Sequence, residues 1–162
     1  MKAPLISNDC ISKFNQALYQ EMYVSHLYRH IANQLQVLGY LGSYKFFKHE
    51  SEEEVEHFQK IADFLNDVGV LAEMPTIEKC DEKIEGIVDA IEIAYESEVS
   101  LLEFYNDFYK TADPTCQQIL LDFIEIQRTS AGLYGDYSAR LSVINGDTCG
   151  LIIFDQELAN GL

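Results

Sequence analysis

The sequence predicts an all-α protein: an antiparallel four-helix bundle with a long crossover between helices two and three and a short fifth helix at the C-terminus. Two observations predict this fold. Apolar residues recur at alternating steps of three and four along four long segments, which is the periodicity of an amphipathic helix. Only three prolines and nine glycines occur in 162 residues, so long stretches are free of helix breakers.

Composition narrows the class of protein. A chain of 162 residues, 48% apolar and 23% charged, is expected to form a single domain over residues 1–162. Its 27 acidic and 11 basic side chains give a net charge of −16, which disfavours nucleic acid and anionic membranes as partners and favours cations. The four cysteines lie far apart, and no segment is typical of a secretion signal or a membrane span. A cytoplasmic location with free thiols is therefore expected.

The first two predicted helices form a pair. Helix one spans about Asn8 to Val37 and ends at "GYLG" (39–42), where two glycines break the pattern. Helix two spans about Ser43 to Val68. Because only a few residues link them, the two helices must be antiparallel neighbours.

The third and fourth predicted helices form a second antiparallel pair. Helix three spans about Ile84 to Thr111. Helix four begins at Pro114 in "DPT", since proline is favoured in the first turn, and it runs to about Ile144, where "NGD" stops it.

The remaining segments are a long link and a tail. Residues 69–83, between helices two and three, reach about 50 Å when extended, which is enough to run the length of the bundle. Helices two and three can therefore be parallel. The tail "GLIIFDQELANGL" (150–162) is expected to form a brief fifth helix.

Polar side chains interrupt every apolar stripe near the middle of its helix. They are Glu21 on helix one, Glu54 and His57 on helix two, Glu98 on helix three and Gln127 on helix four. In antiparallel pairs these midpoints can meet at one level of the bundle. Buried carboxylates repel one another and are costly without partners, and these stripes carry almost no lysine or arginine. Bound metal would resolve the conflict.

The pairing of Glu54 with His57 is the only Glu-x-x-His in the chain, and its spacing projects two ligands from one helical face. Carboxylates with one imidazole suit iron, and Glu54 and Glu98 could bridge two metal ions. Plainer interpretations exist for each residue. A single Glu-x-x-His occurs by chance, Gln127 alone is more often a core amide, and Tyr28 is more often a packed aromatic.

The acidic segment "HESEEEVEHFQK" (49–60) is either a solvated charge run or, in part, an inward face. Helical angles divide it. Glu52 and Glu56 are expected to face solvent, Glu50 lies on the inward side, and Glu53 lies on the flank of the stripe. The other histidines are expected at the surface: His26, His30 and His49.

Four motifs between about Phe14 and Leu158 resemble, in order and at bundle spacing, those of the ferritin family. They are "EMYVSHLY" (21–28), "HESEEEVEH" (49–57), "AYESE" (94–98) and "FIEIQ" (123–127), and "GLIIFDQEL" (150–158) resembles the end of bacterial non-haem ferritins. The resemblance implies a ferritin-like bundle whose copies form a homo-oligomeric shell of twenty-four subunits. Such shells store ferric oxyhydroxide.

At the matching positions, the resemblance implies a di-iron ferroxidase centre that oxidises Fe(II) with dioxygen or peroxide. Glu21, Glu54 and His57 would hold one iron. Glu54 and Glu98 would hold the second iron, with Gln127 beside it. A further residue of the family's site is Tyr28, which would form a hydrogen bond there and could supply an electron.

The chain departs from the bacterial pattern around the fourth-helix glutamine. The positions that often carry extra acidic residues read Ile126, Arg128, Thr129, Ser130 and Ala131. A third iron site is therefore expected to be weak or absent, although Glu53 and Glu50 remain candidate metal ligands. Helix two lacks the methionine that binds haem in bacterioferritins, so haem is not expected.

Two alternatives stay open. One is a shell-forming structural ferritin subunit with weak or no rapid ferroxidase activity. The other is a small-molecule di-iron oxygenase, which would carry two Glu-x-x-His motifs rather than one.

Overall fold

The computed structural model describes residues 3–161, and five α-helices make up the regular structure of that part of the chain. They are Asn8–Leu38 (α1), Leu41–Asp67 (α2), Ile87–Thr111 (α3), Pro114–Ile144 (α4) and Thr148–Asn160 (α5). α1 packs along α2, α3 packs along α4, and α5 packs mainly on α2. The predicted all-α bundle with a short fifth helix is confirmed.

Aromatic contacts give the relative directions of α1 and α2. The Phe14 ring, early in α1, lies 5.0 Å from the Phe64 ring late in α2. The Tyr28 ring, later in α1, lies 5.6 Å from the Phe47 ring early in α2. The two helices are therefore antiparallel.

The same two residues of α1 fix the direction of α3. Phe14 contacts Phe108, late in α3, with ring centroids 4.8 Å apart. Tyr28 forms a hydrogen bond to Glu98, which lies earlier in α3. α1 is thus antiparallel to both α2 and α3, so α2 and α3 are parallel, as the long link predicted.

The crossover from α2 to α3, residues 68–86, runs along α1 without helix or strand. The Glu73 backbone N–H donates to Asn15 Oδ1 at 3.3 Å, and the Ile84 backbone N–H donates to Gln34 Oε1 at 3.0 Å. These two α1 acceptors lie roughly 28 Å apart along the helix axis at 1.5 Å per residue. The crossover therefore spans the bundle.

Helix limits differ from the predictions mainly where the crossover and α5 intervene. α3 begins at Ile87 rather than at Ile84, because the hydrogen bond to α1 holds Ile84 in the crossover. α2 begins earlier than predicted, at Leu41, because α5 caps its first turn. Leu162 at the end of the predicted tail, and residues 1–2 of the expected domain, lie outside the described residues.

Within residues 3–161, every helix is too short or too polar to span a lipid bilayer.

The start of α2 is capped by α5 rather than by its own N-cap residue, Tyr40, whose side chain makes no capping hydrogen bond. Asp155 of α5 accepts from the backbone N–H of Gly42 at 3.0 Å and of Ser43 at 2.7 Å. The Ser43 hydroxyl also donates to Asp155, at 2.7 Å. A carboxylate is favourable there because the first N–H groups of a helix lack partners within the helix.

We expect Gly42→Ala to displace α5 from α2, because a Cβ at this position would lie 1.8 Å from the backbone carbonyl oxygen of Asp155. Relieving that clash requires a backbone shift, so the free energy of unfolding should fall by about 1–3 kcal/mol. Thermal denaturation measures the change. Gly132→Ala is the matched control, since its Cβ would meet nothing within 4 Å. Equal stability of the two variants would contradict the close approach of α5.

Candidate metal centre

A layer of buried polar side chains lies halfway along the bundle. Glu21 is 0% exposed, Glu54 3%, Glu98 1% and Gln127 0%, and His57 is partly buried beside them. These five side chains come from four different helices. The layer therefore forms only when the bundle assembles, and it contains the residues that interrupt the apolar stripes of the sequence.

Three members of the layer form a compact donor group. One donor atom each from Glu21, Glu54 and His57 lies within 4.8 Å of the others. His57 Nδ1 is 3.1 Å from Glu54 Oε2 and 3.6 Å from Glu21 Oε2. These distances are short enough for one cation to contact all three side chains after small rotations.

The layer continues on α3 and α4 through Glu98 and Gln127. The Tyr28 hydroxyl donates to Glu98 Oε1. Four of the five buried side-chain polar atoms without a partner in residues 3–161 belong to this layer: Glu21 Oε2, Glu98 Oε2, Gln127 Oε1 and Gln127 Nε2. Such orphaned atoms are rare in folded proteins. Bound cations would satisfy the three oxygens, so the donor set fits metal.

Tyr105 of α3 also belongs to the layer, although no motif in the sequence points to it. Its hydroxyl donates to Glu21 Oε1, and its ring stacks on Phe123 with centroids 5.1 Å apart. The sequence pattern shows it only as an aromatic residue on the apolar stripe of its helix. Its spacing of two turns from Glu98 places both side chains on one face of α3, and this spacing was the feature of the sequence that could have indicated its position near the layer.

The sequence predicts which residues of the acidic segment 49–60 face solvent, and the structure agrees for the two outward glutamates. Glu52 and Glu56 are exposed. Of the histidines expected at the surface, His26 is exposed, whereas His30 is partly buried and its Nε2 lies 2.8 Å from the carbonyl oxygen of Glu82 in the crossover. The crossover covers part of α1, which the helical pattern alone could not show.

The two further candidate ligands lie outside the compact donor group. The Tyr134 hydroxyl donates to Glu50 at 3.3 Å, and Glu53 lies 3.5 Å from the His49 ring nitrogen at the surface. Both carboxylates line a cavity of about 450 Å³ between α2 and α4, which also reaches Glu54 and His57. Glu50 and Glu53 therefore lie on an approach to the layer rather than within it.

The electrostatics of the layer favour bound protons when no metal is present. Burial raises the pKa of Glu98 to about 7, against the hydrogen bond from Tyr28, which lowers it. Burial also raises the pKa of Glu54 well above its usual range. For His57, burial favours the neutral ring, but hydrogen bonds and charge from Glu21 and Glu54 outweigh it and raise the pKa to about 10. Cations that bind here must displace such protons.

The metal-free protein is expected to lose stability as the pH rises, and Glu98 should contribute to that loss. Its pKa rises from 4.5 to about 7 on folding, so the folded chain holds the proton more tightly than the unfolded chain. The shift corresponds to a cost on the order of 3 kcal/mol for the ionised form, incurred as the pH rises through the folded value.

Glu98→Gln keeps the size of the neutral side chain and cannot ionise. The variant should therefore stabilise the metal-free protein at about pH 8 and leave it nearly unchanged at about pH 5. Thermal unfolding in the presence of a chelator, at both pH values, measures the difference. An equal change at the two pH values would show that Glu98 does not titrate as described.

The fold and the layer define a class of protein. Four helices with a long crossover between the second and third, and carboxylates and an imidazole projecting into the core, are typical of carboxylate metalloproteins of the ferritin type. The family model "Ferritin-like domain" matches residues 11–141. The chain therefore belongs to the ferritin family, as a ferritin of the bacterial non-haem type.

Individual relatives agree in sequence and in structure. The "Soma ferritin" of Lymnaea stagnalis is 30% identical over 151 residues, which cover 88% of this chain and 86% of that protein. The "Probable bacterial non-heme ferritin-like protein" of Haemophilus influenzae is 25% identical over 160 residues, 96% and 97% of the two chains. An open pore ferritin from Archaeoglobus fulgidus has the same fold, with a TM-score of 0.92 at 23% identity over 95% of this chain and 98% of that chain.

Proposed function

We propose that this protein is an iron-storage ferritin that oxidises Fe(II) in the polar layer and deposits ferric oxyhydroxide inside a hollow shell built from copies of the chain. This proposal rests on the buried carboxylates of Glu21, Glu54 and Glu98. The single imidazole beside them, that of His57, lies close to Glu21 and Glu54. Within residues 3–161, no lysine or arginine forms an ion pair with them. Fe(II), which suits oxygen ligands with imidazole, supplies the missing positive charge.

Two Fe(II) ions are the substrate of the layer. One binds between Glu21, Glu54 and His57, the compact donor group. The second binds between Glu54 and Glu98, with the Gln127 amide oxygen beside it. Binding displaces protons from the His57 ring and from the carboxyl groups whose pKa is raised.

The oxidation balances as a two-electron reaction. Each Fe(II) gives up one electron, so the pair supplies two. Dioxygen takes both electrons and two protons to become hydrogen peroxide. When peroxide is the oxidant, it takes two electrons and two protons to become two molecules of water. The Fe(III) products hydrolyse, release protons and join the mineral.

Tyrosine hydroxyls position the carboxylates for this reaction. Tyr28 donates to Glu98, and Tyr105 donates to Glu21, so each leaves the other oxygen of its carboxylate directed into the layer without a partner. Burial raises the pKa of both tyrosines well above the usual value. Their hydroxyls therefore remain protonated donors throughout the physiological pH range.

The cavity between α2 and α4 supplies a route for iron to and from the layer. Glu50 and Glu53 line it and can hold a cation in transit. Glu125, which also lines this cavity, is already paired with Arg128 at 2.7 Å. The cavity therefore offers little support for a strong third iron site.

Association of the chain into a shell has support from charge and surface. The net charge of −16 suits an interior that collects cations. Large apolar side chains are exposed where α1 ends, α2 begins and α5 packs, and a shell of twenty-four subunits would cover such surfaces. They are Leu38, Leu41, Ile152 and Ile153.

Glu54→Ala should abolish the fast phase of Fe(II) oxidation and leave the shell assembled, because Glu54 contacts both proposed iron positions. Replacing a residue that only supports a metal ligand lowers metal affinity or activity by about 10- to 100-fold. Because Glu54 is itself a proposed ligand, the rate should fall by at least roughly 100-fold. Rapid-mixing absorbance under air, with Fe(II) added in steps, measures the rate and shows whether the fast phase saturates near about two irons per chain.

Glu56→Ala is the matched control, because Glu56 lies on the same helix and faces solvent. Unchanged kinetics in Glu54→Ala would overturn the site. Slow oxidation of the unmodified protein, without saturation, would instead favour a structural subunit with weak or no rapid activity.

Tyr105→Phe tests the positioning of Glu21. Removing the hydroxyl takes away the donor that holds Glu21 Oε1, so the fast phase should slow by roughly tenfold while its stoichiometry stays the same. Tyr109→Phe on the same helix is the control, because Tyr109 is only partly buried and packs outside the layer. An effect of equal size in both variants would contradict the role of Tyr105.

A further inference from the structure

A second group of metal-binding side chains lies at the end of the bundle where α1 and α4 begin. Cys10, Asp113 and Cys116 place one donor atom each within 4.8 Å of the others. Both thiols are 0% exposed, and Asp113 is partly exposed. Cys10 lies roughly 16 Å from Glu21 along α1 at 1.5 Å per residue, so this thiol group is separate from the polar layer.

Both thiols of the group lie at helix N-termini. Cys10 is in the first turn of α1, and Cys116 is in the first turn of α4. The unpaired N–H groups and the dipole of a helix N-terminus stabilise a thiolate. In addition, the backbone N–H of Asp113 donates to Cys10 Sγ at 3.4 Å. The helix N-termini and this N–H donor therefore offset part of the cost of burying a metal-bound thiolate.

Asp113 is oriented toward α1 instead of capping its own helix. It occupies the N-cap position of α4, yet its side chain makes no capping hydrogen bond there. Its Oδ2 accepts from the backbone N–H of Ser7 at 2.6 Å. A carboxylate accepts several bonds, so this contact fixes the side chain beside the thiols and leaves lone pairs for a cation.

We propose that Cys10, Asp113 and Cys116 bind a zinc(II) ion, with a water molecule as the fourth ligand. Zinc favours tetrahedral sites of thiolate sulfur and carboxylate oxygen, and three protein ligands with one water is an established arrangement. Zinc–sulfur bonds of about 2.3 Å put two sulfurs about 3.8 Å apart, which lies within the observed limit of 4.8 Å.

Binding requires the two thiols to lose their protons to solvent, and no electron is transferred. Burial raises the pKa of Cys116 to about 12, so its thiol is neutral until a metal displaces the proton. The bound ion would join the start of α1 to the start of α4. Thiolates select zinc and the oxygen-rich layer suits iron, so the two sites would sort their cations by ligand type.

The test uses the full-length assembled protein, stripped of metal, reduced with a phosphine and titrated with Co(II) as a spectroscopic substitute for zinc. Thiolate-to-cobalt charge-transfer absorption should grow in the near ultraviolet, saturate at about one Co(II) per chain and vanish when Zn(II) is added. The polar layer contains no thiol and cannot produce this absorption, so the readout is independent of the proposed ferroxidase activity.

Cys10→Ser and Cys116→Ser should each lose the absorption, while Cys80→Ser and Cys149→Ser should keep it. None of the four variants should change fast Fe(II) oxidation. Asp113→Asn changes a partly exposed position, keeps both thiols and should weaken Co(II) binding by about tenfold. Because this variant is expected to fold, it separates loss of a ligand from loss of absorption caused by misfolding.

Three results would overturn the site. The first is absorption of full strength in Cys10→Ser. The second is its loss in Cys149→Ser. The third is failure of the fully reduced, unmodified protein to bind Co(II) through thiolates, including the case in which a mass measurement before reduction shows a disulfide between Cys10 and Cys116.

Discussion

Three carboxylates buried in an apolar bundle are the constraint on which the rest of this structure depends. A buried ion costs several kcal/mol unless it is paired, and like charges at one level raise the cost further. The protein offsets part of it with hydroxyl donors from Tyr28 and Tyr105, one shared imidazole and bound protons. No lysine or arginine pairs with these carboxylates in residues 3–161, and that deficit of positive charge favours a bound cation in the layer.

The scaffold around the layer keeps these unfavourable groups in place. Long antiparallel helices bury continuous apolar surface above and below the polar level, as the packing of Phe14 on Phe64 and of Tyr28 on Phe47 shows. The crossover fastens along α1, and α5 caps the first turn of α2. These contacts outside the layer help to hold the buried carboxylates at the middle of the bundle.

Much of this architecture follows from the sequence because a helix has a fixed period. An amphipathic stripe must face the core, so its periodicity places Glu21, Glu54, Glu98 and Gln127 inward and directs Glu52 and its exposed neighbours outward. Loop lengths then pair the helices. The same reasoning is weakest at helix ends, where contacts from distant segments decide the limits, as at the starts of α2 and α3.

Periodicity shows which face a side chain takes, but it cannot show which atom of another helix lies opposite. Tyr105 forms a hydrogen bond to Glu21, although the two residues are 84 positions apart in the sequence. Asp155 accepts a hydrogen bond from the Ser43 backbone, 112 positions away. The thiol group is equally nonlocal, since Cys10 and Cys116 come together only when α1 packs beside the α3–α4 turn. The amino-acid pattern thus specifies the helices and their inward carboxylates, whereas hydrogen-bond partners and donor groups arise from packing between segments far apart in the chain.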